Sequence, residues 1–451
     1  MLDKDSLKIL QEALERLDAG FAELPEFEAQ TPNAARMAKV LGAAADRLRD
    51  NYPYFHPLYA GQMLKPPHPV ARLAYALAQW INPNNHALDG GRATSAMEKE
   101  AVAGIAAMFG WGEHLGHLCG GGTLANLEAL WVAGQLVPGK RILASEQAHY
   151  THARIGGVLQ LPFAAVACDA DGRMDIAKLR EEASRGEVGT VVATMGTTAT
   201  GSVDPLTEIL QLSEKHGFRV HADAAYGGYF GLAGNLGKEA RREFGALCRA
   251  DSIVIDPHKH GLQPYGCGCV VFRDPGVGRL YKHDSPYTYF SSRELHLGEI
   301  SLECSRPGAA AAALWATQQL LPLTKGGEFA RGLEDCRAAA LDLYERLKND
   351  ARYVTAFPPE LDIVVFAPRA GSVSEASEKS RKIFNAAARR DLHLAVAELP
   401  VKFFPANLGD IRQDRDTITC LRSVLMKPEH REWVGRIWEL LGEATEEVRK
   451  G

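Results

Sequence analysis

Ser252-Ile253-Val254-Ile255-Asp256-Pro257-His258-Lys259 decides how this 451-residue chain is read. The run Ile253-Val254-Ile255 suits a strand buried on both faces, and Pro257 ends it because proline brings no N–H to a ladder. Lys259 is therefore expected just past the carboxyl end of a strand. Ligands of open α/β sheets bind at that edge, and a partly desolvated amine there can form a Schiff base with a carbonyl compound. Taken alone, the segment also reads as a surface lysine after a strand.

Outward from this strand, the chain alternates between about Thr94 and Phe272. Helical periodicity marks Ser95–Phe109, Leu124–Ala133, Ile176–Ala183 and Leu206–His216. Short β-rich runs lie between them at 141–144, 163–168, 190–195, 218–222 and 269–272. Strand and helix at this spacing predict a mainly parallel sheet covered on both faces. A helix from about Pro307 to Leu321 leads out. Beyond Lys325-Gly326-Gly327 the texture becomes that of a smaller α+β domain: helices at 329–347, 378–389 and 432–448, strands at 363–366 and 418–425. At the other end, Leu7, Leu10, Leu14 and Leu17 recur at helical spacing behind Ser6, and a second helix is expected over 34–49.

Composition bounds the function. With 51 Lys and Arg against 56 Asp and Glu, the net charge is −5, which argues against a dedicated nucleic-acid or anionic-membrane binder. The longest uncharged apolar run, Ala101 to Gly112, is too short to span a bilayer. Met1-Leu2-Asp3-Lys4-Asp5 lacks the layout of a signal peptide. The eight cysteines are scattered with no CxxC pair, as expected of free thiols in a reducing cytoplasm. No metal site is expected: Asp169-Ala170-Asp171-Gly172 has Arg180 where a calcium loop would close with Glu. Cys267 and Cys269 read as core, and His114 and His117 as core or surface.

Two further segments carry chemistry. Phe218-Arg219-Val220-His221-Ala222-Asp223-Ala224-Ala225 ends a strand on an acidic residue followed by small ones. Asp223 either caps the next helix or faces a pyridine nitrogen and keeps it protonated, the state in which pyridoxal 5′-phosphate (PLP) is an electron sink. Cys119-Gly120-Gly121-Gly122-Thr123 opens a helix on a glycine run and offers N–H groups and a hydroxyl to a phosphate. Its spacing is neither GxGxxG nor GxxxxGK[ST], so dinucleotide and P-loop readings fail.

In this order, phosphate cradle, carboxylate and lysine resemble the group II PLP-dependent amino-acid decarboxylases, which include aromatic amino-acid, glutamate and aspartate decarboxylases. The resemblance runs from about His56 to Pro428. It implies PLP fold type I, aspartate-aminotransferase-like: an α/β large domain with a mainly parallel sheet over 71–325, a small C-terminal α+β domain over 326–451, and an N-terminal helical segment over 1–70 packing on the partner of a homodimer. It implies that Gly122 and Thr123 hold the phosphate, and that His149 in Ser145-Glu146-Gln147-Ala148-His149 stacks on the ring. Thr198, in Ala193-Thr194-Met195-Gly196-Thr197-Thr198, lies at the site, with Asp204 following at the family spacing. Asp223 pairs with the ring nitrogen, Ala225 lies against the ring, and His258-Lys259 is the pair whose lysine carries the cofactor. Arg422, in Leu421-Arg422-Ser423-Val424, resembles the arginine that holds the substrate carboxylate in glutamate decarboxylases.

The expected reaction is decarboxylation of an L-amino acid, with Lys259, His149 and Asp223 catalytic. Asn82-Pro83-Asn84-Asn85-His86 aligns with the family segment facing the substrate side chain, and Gln62 is polar where aromatic decarboxylases carry a ring. Asn84 and His86 are therefore expected at the substrate, favouring a polar or acidic side chain over an unsubstituted aromatic one. Two departures stand out. Asp256 replaces the family's frequent Asn beside the phosphate, and as an anion it is left out of the expected site. No tyrosine stands at the spacing of the family's mobile-loop proton donor, leaving Tyr287 and Tyr289 as candidates. His258-Lys259-His260-Gly261 also resembles the H-K-x-G of PLP-dependent carbon–carbon lyases, so such a lyase, an aromatic amino-acid decarboxylase and a non-catalytic PLP-fold binder are the alternatives.

Overall fold

In the computed structural model, residues 4–28, 32–282, 300–404, 409 and 411–450 are described. Seven short apolar runs form one sheet: β1 Leu115–Cys119, β2 Arg141–Ser145, β3 Phe163–Val166, β4 Val188–Thr194, β5 Arg219–Asp223, β6 Ser252–Ile255 and β7 Gly268–Phe272. The order is β1-β7-β6-β5-β4-β2-β3. Strands β6, β5, β4, β2 and β3 are parallel, and β7 runs antiparallel to both its neighbours. Every residue of β4, β6 and β7 is buried, the pattern of strands covered on both faces.

Register fixes the functional edge. Thr194 of β4 pairs with Asp223 of β5, and Asp223 pairs with Val254 of β6. The carboxyl ends of three strands therefore lie side by side, and Asp256 to Lys259 follow at once on the same edge.

The second sheet is antiparallel and four-stranded: β8 Tyr353–Thr355, β9 Ile363–Pro368, β10 Ala395–Pro400 and β11 Thr417–Val424, in the order β10-β11-β9-β8. Helices Glu328–Lys348, Val373–Ala388 and His430–Lys450 pack on it around a core that includes Leu343, Phe366, Ile383, Leu421 and Ile437. The fold class is thus the expected one, a large α/β unit with a mainly parallel sheet and a small α+β unit.

Elements that periodicity misses are short or poor in β-branched residues. Strand β1 reads Leu-Gly-His-Leu-Cys and is held by pairing with β7. Helix Thr151–Leu159 carries Gly156 and Gly157, and helix Lys238–Ala246 is mostly polar. Helix Pro69–Gln79, capped by His68, is another. The helix expected from Ser95 begins at Leu88 and is interrupted at Gly91.

At the N-terminus, helix Lys4–Ala19 leaves Leu7 exposed, and helix Ala34–Leu48 has no buried residue although it carries Met37, Val40, Leu41 and Leu48. Of the apolar stripe expected from sequence, Leu10, Leu14 and Leu17 are partly buried and Leu7 is exposed. Among the described residues no helix is long and apolar enough to cross a membrane. All eight cysteines are free thiols. Cys267 and Cys269 are core, and His117 is buried against Glu128 at 2.9 Å.

Candidate active site

The ends of β4, β5 and β6, together with the start of helix Gly122–Leu136, enclose a cavity of about 490 Å³. Of the residues expected at the site, Gly122, Thr123, His149, Thr198, Asp223, Ala225, His258 and Lys259 line it.

The glycine run is required by close packing. Gly121 has φ +141°, a region that L side chains avoid, and a Cβ on Gly268 would meet its backbone at 2.5 Å. The first N–H groups of the helix have no intrahelical acceptor and form, with the dipole, a cradle for an anion. Thr123 Oγ1 lies 3.3 Å from Thr151 Oγ1, so a second hydroxyl joins the cradle. Asn126 ties this helix to the sheet: its Nδ2 donates to the Gly122 carbonyl at 2.8 Å, and its Oδ1 lies 2.8 Å from His221 Nε2, whose Nδ1 lies 2.8 Å from Ser252 Oγ. Burial pushes His221 down to about 3, so it bridges as a neutral ring.

Asp223 is buried at the end of β5. Its Oδ2 receives His152 Nε2 at 2.8 Å and its Oδ1 accepts from the Ala225 N–H at 3.1 Å. Burial alone would raise its pKa, but the hydrogen bond and charge of His152, with the charge of Lys259, hold it well below the usual carboxylate range. A permanent anion thus stands at one end of the cavity. His149 is half-buried, its Nδ1 accepting from the Thr151 N–H at 3.3 Å, and burial lowers its pKa, keeping the ring neutral. Asp204 does not reach the cavity. It fixes the end of β4 by accepting from the Thr194 and Met174 N–H groups at 2.8 and 2.7 Å.

Lys259 Nζ lies 3.0 Å from Asp256 Oδ2, and His258 Nε2 lies 3.5 Å from the same oxygen. Asp256, excluded on electrostatic grounds in the sequence, lines the cavity and is the lysine's partner. The exclusion considered a phosphate and an anion alone, and missed the ammonium group three residues on.

Arg422 on β11 is buried and does not line this cavity. Its Nη1 donates to Gln62 Oε1 at 2.9 Å, while Nε and Nη2 have no acceptor among the described residues. Asn84 is committed to its own loop: Oδ1 accepts from the His86 and Arg306 N–H groups at 3.1 and 3.0 Å, and Nδ2 donates to Ser305 Oγ at 3.1 Å. Within one chain, neither Asn84 nor His86 lines the cavity. Tyr287 and Tyr289 lie outside the described residues. Residues that sequence reasoning missed are His152, Thr151 and Asn126. His152 carried a signal, being three residues after His149 on a helix start, where spacing puts both on one face.

The cavity fits PLP on its own features: a cradle of free N–H groups and hydroxyls, a carboxylate held ionised, a lysine, and room for a ring above small Ala225. The fold and site define a PLP-dependent enzyme of fold type I. A model of the pyridoxal-dependent decarboxylase conserved domain matches residues 125–369, and the chain belongs to that family. It is 31% identical over 392 residues to the L-tyrosine decarboxylase of Enterococcus faecium, covering 64% of each chain. To the probable L-tyrosine/L-aspartate decarboxylase of Methanothermobacter thermautotrophicus it is 29% identical over 315 residues, 68% of this chain and 82% of that one. The chain thus spans just under two thirds of the enterococcal protein. In fold, it superimposes on Oryza sativa TDC with PLP and tryptamine at TM-score 0.79, with 19% identity and 99% of both chains covered. Mouse CSAD gives 0.77, with 19% identity and 98% and 99% covered. The matching family model is one of pyridoxal-dependent decarboxylases.

Proposed function

We propose that the chain decarboxylates a polar or acidic L-amino acid, with L-aspartate the first candidate, at the cavity around Lys259. Bound PLP supplies the electron sink for the pair left on the α-carbon when carbon dioxide departs. The protein's residues do the rest. Gly122, Thr123 and Thr151 hold the phosphate, Lys259 fixes the aldehyde end, and Asp223, kept anionic by His152, holds a proton on the pyridine nitrogen. His149 limits the ring's tilt and shields it from water. Orientation and electrostatics are thereby set before the substrate arrives.

The observation that carries the reading of an amino-acid substrate is Arg422. A buried guanidinium with two unpartnered donors leaves a desolvation cost that an anionic group of the substrate would offset. Gln62 fixes one side of it and leaves the other free. The names of the relatives support aspartate and also make tyrosine the second candidate. The test is carbon dioxide release with PLP over aspartate, glutamate, histidine, tyrosine and phenylalanine. Aspartate or glutamate should give the highest kcat/KM, and a preference for phenylalanine rejects the reading.

The uncovered N-terminal helices support a homodimer in which residues 1–70 pack on the partner, beside a large domain over 71–325 and a small one over 326–451. A partner subunit is also what would bring Asn84 and His86 to a substrate, since within one chain they stay outside the cavity. Free buried thiols and the lack of a membrane-spanning helix among the described residues support a cytoplasmic enzyme.

A further inference from the structure

Asp362 stands immediately before β9 of the small sheet, and its side chain is buried. It reaches across to the large unit at two points. Oδ1 accepts from the Tyr226 hydroxyl at 2.5 Å, and Oδ2 lies 3.2 Å from His260 Nε2. Both partners are buried, and their rings meet edge to face with centroids 4.9 Å apart. Burial opposes the charge of Asp362, yet its pKa lies below the ordinary carboxylate value because His260, Tyr226 and Lys65 favour the anion.

Each partner is the neighbour in sequence of a residue that lines the cavity: Tyr226 follows Ala225, and His260 follows Lys259. On its own side, Asp362 is tied to the strand that carries Arg422. Its carbonyl accepts from the Leu425 N–H at 2.9 Å, and the ladder continues with Ile363 against Val424 and Val365 against Arg422. Burial works against the charge of Arg422, and Tyr226 and Asp362 are among the groups that favour it. Among the described residues, Arg422 donates only from Nη1, to Gln62. Its distance from Lys259 is therefore set by how the small sheet is fastened. Glu360 also crosses between the units, to Arg173 and the Val203 N–H, but neither of those residues lines the cavity.

We propose that Asp362 is a positioning residue: by holding Tyr226 and His260 it sets the distance between Arg422 and the Lys259 end of the cavity, and with it the affinity for a carboxylate of the substrate. The inference rests on the reading of Arg422 as the group that receives that carboxylate. A link of this kind orders Arg422 before the substrate arrives, so less freedom is lost on binding.

The test is a double-mutant cycle on the full chain loaded with PLP, read by calorimetry of succinate binding. Succinate is a dicarboxylate with no amine to react. In the wild type, Arg422→Met should weaken succinate by about 10-fold or more, as loss of a charge-assisted contact does. Asp362→Ala alone should weaken it about 10-fold, and Arg422→Met should then cost less than about 3-fold more, because networked groups lose their effects together. Asp362→Asn keeps an acceptor for the Tyr226 hydroxyl and should stay within about 3-fold of the wild type. KM for the best amino-acid substrate should follow the same pattern, with kcat changed by less than about 3-fold. If Asp362→Ala does not fold, Tyr226→Phe takes its place in the cycle, and the same outcomes decide. Equal losses from Arg422→Met in both backgrounds overturn the proposal, as does an Asp362→Ala chain of lower thermal stability with wild-type succinate affinity and KM. A wild-type chain that binds no succinate, or binds it as well after Arg422→Met, overturns the carboxylate reading of Arg422 and this inference with it.

Discussion

His152 Nε2 lies 2.8 Å from Asp223 Oδ2, and both side chains are buried. The imidazole thus donates to the carboxylate that would hold the cofactor's ring nitrogen protonated. It acts through Asp223, by orienting it and keeping it ionised against the pull of burial.

Replacing His152 by Phe should therefore weaken the reaction without touching the substrate. Loss of a partner that orients and charges such a group costs about 10–100-fold in metal sites, and a similar fall in kcat/KM is expected here. The absorbance of bound PLP should shift as well, because the ring nitrogen's proton is held less firmly. An unchanged spectrum and unchanged kcat rule out this role.

Lys259→Ala should retain PLP only by non-covalent contacts to the Gly122–Thr123 cradle. Borohydride treatment followed by mass analysis checks it: the wild type should carry the cofactor on Lys259, and the variant should carry none. Attachment to another lysine refutes the assignment.

Arg422→Met separates function from stability. The guanidinium is buried with two unpartnered donors, so its removal should leave thermal stability equal or slightly raised. The kcat/KM for an acidic substrate should fall by about 10–100-fold, equivalent to roughly 1.4–2.7 kcal/mol of lost charge-assisted hydrogen bonding. A large drop in melting temperature with unaltered specificity would assign Arg422 to packing instead.

Stability should depend on pH through buried histidines. Burial pushes His221 and His430 down to about 3, so both stay neutral in the fold while the unfolded chain protonates them near 6.5. Between these values the unfolded state binds more protons, and stability falls as the pH drops, by up to about 1.4 kcal/mol per unit per group. Asp204, pushed up to about 7, works the other way between roughly 4 and 7. His221→Gln removes one histidine term. Its urea midpoint should fall less steeply than the wild type's between pH 6 and 4.

Sedimentation should show a homodimer, because the exposed apolar residues of helix Ala34–Leu48 are left uncovered by the described residues of one chain. Substituting Val40 and Leu41 by Glu should shift the equilibrium toward monomer. A wild-type chain that sediments as a monomer at micromolar concentration contradicts the prediction.

The sequence by itself determined the sheet's middle and its chemistry. Strands β4 and β6 are buried throughout and β5 but for its first residue, and the three end at Thr194, Asp223 and Ile255, just before Pro257. Motif spacing then placed the cradle, carboxylate and lysine on one edge. Tertiary structure decided what depends on contacts between distant segments. Strand β1 exists because β7 pairs with it, and His152 matters because the register of β5 brings Asp223 to it across 71 residues. Asn84, chosen for its side chain, is instead consumed by hydrogen bonds to Ser305 and Arg306. Asp256 was judged by its charge alone, and only the turn after β6 showed that Lys259 folds back onto it. A local pattern reports burial and periodicity. Which polar group satisfies which is settled when remote segments are desolvated together, because a buried donor or acceptor is costly until its partner arrives.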